Sequence, residues 1–63
     1  MDPDANRIQA LLLAEEILNS IEDRRDKEPD FRANAERLAE LVIALDEWLS
    51  NGGFSPAEWM KRR

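Results

Sequence analysis

Cysteine and histidine are both missing from the chain, and serine supplies its only hydroxyl side chains. Without cysteine there is no disulfide staple, and without either residue there is no thiolate or imidazole zinc site. A hydroxyl nucleophile would have to be Ser20, Ser50 or Ser55, and no imidazole is present to activate one. The aromatics are only Phe31, Trp48, Phe54 and Trp59, and the glycines only the adjacent Gly52 and Gly53. That pair lacks the spacing of a phosphate-cradling loop. No uninterrupted apolar stretch is longer than that of Ala10 to Ala14, which falls far short of the about 20 residues a membrane helix needs. No cationic leader precedes it, so the expectation is a cytoplasmic protein with neither secretion signal nor membrane partner.

What the chain does have is charge and leucine. Its net charge is −5, with 14 acidic and 9 basic residues. The imbalance lies in residues 1–30, which hold nine acids and four bases, whereas residues 31–63 hold five of each. Such a protein is repelled by phosphate backbones over most of its surface. Only Arg24-Arg25 and Lys61-Arg62-Arg63 are locally basic. A chain of 63 residues makes a single domain whose core is small, burying about 60% of the surface that the unfolded chain exposes. With disulfide and zinc staples excluded, a second chain is the stabiliser that remains.

Helix punctuation divides the chain into three. Asp2 is placed to cap a helix whose first residue is Pro3, where the missing amide proton costs nothing. At 100° per residue, Ile8, Ala10, Leu11, Ala14, Ile17, Leu18 and Ile21 gather on one broad face, with Gln9, Glu16, Ser20 and Asp23 opposite. Leu12 and Leu13 fall outside that face. The helix is expected over about residues 3–25, fading ahead of Pro29, with Arg24, Arg25 and Lys27 complementing its negative end.

Asp30 is the expected cap of a second helix, about residues 30–50. Phe31, Ala35, Leu38, Val42, Leu45 and Leu49 recur at alternating spacings of four and three, which predicts the seam of a hairpin or bundle. Leu41 and Trp48 widen one edge of the seam. Ile43 sits among Glu36, Glu40, Asp46 and Glu47 on the outer side. Ser50-Asn51-Gly52-Gly53 ends the helix, since glycine enters the left-handed conformation most readily.

The stretch GGFSPAEW then packs a stop and a start into eight residues. Ser55 is expected as cap, Pro56 as the first helical residue and Glu58 as its partner in a capping box, with Phe54 stapled to Trp59. These devices predict a short third helix, about residues 56–62, folded back on the edge carrying Leu41 and Trp48. The fold expected is therefore all-α: an antiparallel helical hairpin with a short C-terminal helix, dimerising into a four-helix-bundle-like assembly.

Chemistry is poorly represented. Glu36 and Glu40 share a face but point away from the seam and have no histidine beside them, so no metal site, cofactor or catalytic residue is expected. A DNA-reading helix needs polar side chains over several turns, and Ala57, Glu58, Trp59 and Met60 do not supply them. Leu12, Leu13 and Ile43, apolar but outside the main stripes, are the candidates for a self-interface. Trp48, Phe54, Trp59 and Met60 form either a lid on the core or an anchor for a partner.

From Leu38 to Trp59, the sequence LAELVIALDEWLSNGGFSPAEW resembles small uncharacterised proteins encoded by actinobacterial phages and their hosts, which share a leucine-rich helix and an ending of the LDEWLS-GGF-P--W type. The resemblance covers about a third of the chain and implies a phage or prophage protein acting inside a bacterium; it carries no catalytic residue. The function expected is a non-enzymatic homodimeric interaction module that binds or modulates a host or phage protein. The alternative is a regulator touching nucleic acid through Lys61, Arg62 and Arg63, or presenting an acidic, DNA-like face.

Overall fold

The computed structural model describes residues 1–60, and all regular structure among them is helical. Two long helices, α1 (Pro3–Glu22) and α2 (Pro29–Ser50), pack as a hairpin, and a single 3-10 turn follows at Ala57–Met60.

The start of α1 is as the sequence requires: Asp2 Oδ1 accepts from the amides of Asp4 at 3.0 Å and Ala5 at 3.2 Å, and Pro3 opens the helix. Its end comes three residues earlier than expected. Arg24 turns into the left-handed region at φ 60°, and the amides of Arg24 and Arg25 fold back to the carbonyls of Ile21 and Ser20. That hydrogen-bond pattern closes the helix while all three basic residues still lie ahead. The second helix begins one residue before its expected start, with Pro29 as its first residue. Glu28 takes the extended conformation that proline imposes on its predecessor and provides no side-chain cap. Asp30, expected as the cap, sits inside the first turn, where its charge still suits the helix dipole.

On α1 the seam is phased differently from the apolar pattern, whereas on α2 it keeps the expected positions apart from Val42. On α1 the covered positions are Pro3, Asn6, Arg7, Ala10, Leu13, Ala14, Ile17 and Ser20, among which Pro3, Asn6, Ala10, Leu13, Ile17 and Ser20 form an unbroken alternation of three and four. On α2 they are Phe31, Asn34, Ala35, Leu38, Leu41, Leu45, Trp48 and Leu49. Leu13, expected to flank, is therefore inside, while Ile8, Leu11, Leu18, Ile21 and Val42, expected inside, are about half exposed or more. One physical reason is Asn6, whose amide donates to the Leu41 carbonyl at 2.9 Å. A buried polar group costs free energy unless it is paired, so this contact fixes the rotation of α1 about its axis. Apart from Pro3, only Leu41 (6% exposed) and Leu45 (9%) are buried apolar side chains of the two helices.

The C-terminal segment closes the open end of the hairpin. The Ala57 amide donates to Asp4 Oδ1 at 2.6 Å, so the cap of the last turn comes from the first turn of α1. Ser55, expected in that role, makes no side-chain hydrogen bond among the described residues. Pro3 and Pro56, each one residue before an end of this contact, are fully buried. The residues of the expected third helix beyond Met60 lie outside the described ones.

Candidate functional site

The seam leaves two long sides of the hairpin with opposite chemistry. On one side Arg37 donates to Gln9 Oε1 at 3.3 Å and pairs with Glu40 at 3.5 Å, over a shallow recess that also includes Leu12 and Leu13. On the other side, Ala10 and Leu11 of α1 face Val42, Leu45 and Leu49 of α2 across an apolar groove of about 520 Å³. Trp59 walls the groove at the open end, and Arg7, Asp46 and Glu58 supply its polar lining with Asn6. The turn carrying Trp59 therefore docks beside Val42 and Leu49, and not on the edge with Leu41 and Trp48 as expected.

Phe54 also has a different neighbour from the expected one. Its ring meets Trp48 edge-on at 5.6 Å and 83°, and Trp48 Nε1 donates to the Phe54 carbonyl at 2.9 Å. Gly53 lies so close beneath the indole that a Cβ there would overlap the ring. Trp48 thus gathers Gly53 and Phe54 around itself, while Trp59 is left 56% exposed beside the groove and Met60 is exposed beyond it. Of the four residues grouped as lid or anchor, Trp48 and Phe54 form one cluster, and Trp59 and Met60 belong to the surface.

The three self-interface candidates do not form one patch. Leu13 contributes to the hairpin seam, whereas Leu12 is exposed at the recess beside Arg37 and Ile43 on the outer side of α2. The larger apolar surface is made by Leu11, Leu18, Ile21, Val42 and Trp59, which the sequence pattern had assigned mostly to the interior. The signal that would have revealed them is polar: Asn6 and Ser20, seven residues before and seven after Leu13 in the same heptad register, are buried at 6% and 3% exposure, and marking them as seam positions re-phases the helix.

Electrostatics at the surface is local. Arg32 pairs with Glu36 at 3.5 Å on the outer side of α2, so the acidic face there is interrupted by cations. Arg25 reaches Asp23 at 3.3 Å and Glu16 at 3.4 Å. Its guanidinium is held above its ordinary pKa, chiefly by the hydrogen bond to Asp23 and, against a smaller opposing desolvation, by Glu16. Exposed pairs of this kind fix side-chain positions more than they stabilise a fold. Among the described residues no helix is long and apolar enough to cross a membrane. Lys61, Arg62 and Arg63, the nucleic-acid contacts of the alternative reading, lie outside the described residues.

Searched against protein-family models, curated proteins and solved structures, the chain finds no match.

Proposed function

We propose that the chain is a non-enzymatic protein–protein interaction module that works as a homodimer of four-helix-bundle type and, in that form, binds or modulates another protein. The observation that carries this reading is the inverted distribution of its apolar residues: Leu41 and Leu45 are buried, while Leu11, Leu12, Leu18, Ile21, Val42, Ile43 and Trp59 are about half exposed or more. Scattered exposed apolar residues are ordinary, but so many on so small a chain, with Leu11, Val42 and Trp59 lining one groove, support an interaction surface. The resemblance at residues 38–59 supports a phage or prophage origin and action in the bacterial cytoplasm, with a host or phage protein as the dimer's target.

Sedimentation equilibrium together with thermal melts over a hundredfold range of protein concentration tests the reading. A dimer that dissociates on dilution, with a melting temperature that rises with concentration, is the expected result. A monomer at every concentration, melting at one temperature, would remove the homodimer.

A further inference from the structure

We infer that the two copies meet through the groove side of the hairpin, laid across one another end for end, with a two-fold axis passing near Ala14. The inference rests on the dimer reading above and specifies its interface.

Size comes first. The chain exposes 5093 Å², against about 4,200 Å² for a compact monomer of its 7.3 kDa mass. A larger surface is what a thin hairpin has, and an interface of standard size would take about 800 Å² of it from each partner. Shape agrees: the radius of gyration is 13.5 Å, where a compact chain of this length gives about 10.6 Å. The principal extents are 39 × 26 × 14 Å, so the hairpin is a single layer, and stacking a second layer on its broad side is how such a layer acquires a core.

The phase of the helices selects the side. With the seam as observed, Leu11, Ala14, Leu18 and Ile21 follow one another along the groove flank of α1 at spacings of three and four, and Ala35, Val42 and Leu49 recur every seven residues along that of α2. The opposite flank carries Gln9, Glu16 and Arg37, whose hydrogen bonds and ion pairs are already formed within the chain. Leu12 lies on that opposite flank beside Gln9 and Arg37, and Ile43 stands on the outer side of α2.

Relief selects the orientation. The groove occupies the open end, between Ala10-Leu11 and Val42-Leu49. Toward the closed end the same side bears Leu18, 63% exposed, and Ile21. An end-for-end partner sets Leu18 and Ile21 of each copy into the groove of the other, level with Ala10 and Arg7. This places the axis near Ala14, where a small side chain lets the two α1 backbones approach. The head-to-head alternative sets groove on groove and leaves Leu18 facing another raised surface.

Because the chain has no cysteine, a single introduced thiol reports the geometry. Mild oxidation of Ala14→Cys is expected to give a covalent dimer, and Ile43→Cys under the same conditions to stay uncrosslinked. In sedimentation, Leu18→Glu and Val42→Glu are expected to weaken dimerisation at least about a hundredfold by placing a carboxylate in an apolar contact, while Leu12→Glu and Ile43→Glu leave it unchanged. If Leu12→Glu or Ile43→Glu dissociates the dimer and Leu18→Glu does not, the interface lies elsewhere and only the dimer reading survives. Loss of dimer in the Leu18 variant without crosslinking through position 14 would overturn the end-for-end arrangement. A parent protein that is monomeric at millimolar concentration would remove both the interface and the dimer. Crosslinking does not depend on the glutamate variants staying folded, so the geometry remains testable if they do not.

Discussion

Both helices stop on the same pair of backbone hydrogen bonds. At the end of α1 the amide of Arg25 returns to Ser20 at 2.7 Å and that of Arg24 to Ile21 at 3.2 Å; at the end of α2 Gly53 returns to Trp48 at 2.8 Å and Gly52 to Leu49 at 3.1 Å. The left-handed position is filled differently, by Arg24 at φ 60° in one case and Gly52 at φ 90° in the other. So are the surroundings. After α1 the chain runs through exposed residues straight into α2, whereas after α2 it passes beneath Trp48 and across to the start of α1. The closed end is held largely by connectivity, since the next helix begins five residues after Arg24 and packs back on the first. The open end has no such tether and depends on side-chain contacts, so substitutions there should cost more than at the matching positions of the turn.

The largest effect is expected from Trp48→Ala, which removes the ring that covers Gly53, its edge contact with Phe54 and the hydrogen bond to the Phe54 carbonyl. For a half-buried tryptophan the loss should be about 3 kcal/mol, at the low end of the range for aromatic truncations. Urea unfolding of parent and variant at one fixed protein concentration measures it, and a loss under about 1 kcal/mol would mean that the aromatic cluster does not hold the open end.

Gly53→Ala tests the same contact from the other side. The added methyl would overlap the Trp48 indole, forcing the ring or the turn to move at a cost of about 1–3 kcal/mol. Near-neutral stability would show that the indole can swing away freely.

Asp4→Ala should cost about 1 kcal/mol, the usual loss when a helix cap is removed, because the Ala57 amide then lacks its acceptor. Asp4→Asn keeps an acceptor and should recover most of it. A loss of equal size in Asp4→Asn would instead attribute the effect to the negative charge in the first turn of α1.

The sequence made the elements legible because each is marked locally: Asp2-Pro3, Pro29 and Gly52-Gly53 sit where helices begin and end whatever the tertiary fold. It misplaced contacts that depend on what packs where. Phe54 and Trp59 have staple spacing, but Trp48 lies within reach of Phe54 through space, and the indole with both a donor and a ring face wins. Ser55 has capping position, but Asp4 arrives with a charged acceptor from the far end of the chain. The apolar stripe on α1 was real, yet Ile8, Leu11, Leu18 and Ile21 within it are about half exposed or more and do not line the seam with α2. A hairpin seam can be lined by small and polar residues such as Ala10, Asn6 and Ser20 because they let the helices approach, and apolar periodicity alone cannot separate that seam from a second apolar side.

The smallest predicted effect has the opposite sign. Arg24 occupies a left-handed conformation that costs a residue with a Cβ about 1–2 kcal/mol, and its exposed side chain forms no ion pair among the described residues. Glycine removes that strain but makes the unfolded chain more flexible, which takes back roughly 0.4–1 kcal/mol. Arg24→Gly should therefore stabilise the fold by about 0.5 kcal/mol and raise the melting temperature by roughly 2–4 °C, converting the end of α1 into the kind that already closes α2. Differential scanning calorimetry at matched concentration resolves a change of that size. A lower melting temperature would mean that the Arg24 side chain contributes more to the closed end than its backbone conformation costs, and the contrast between a tether held by connectivity and an end held by contacts would have to be redrawn.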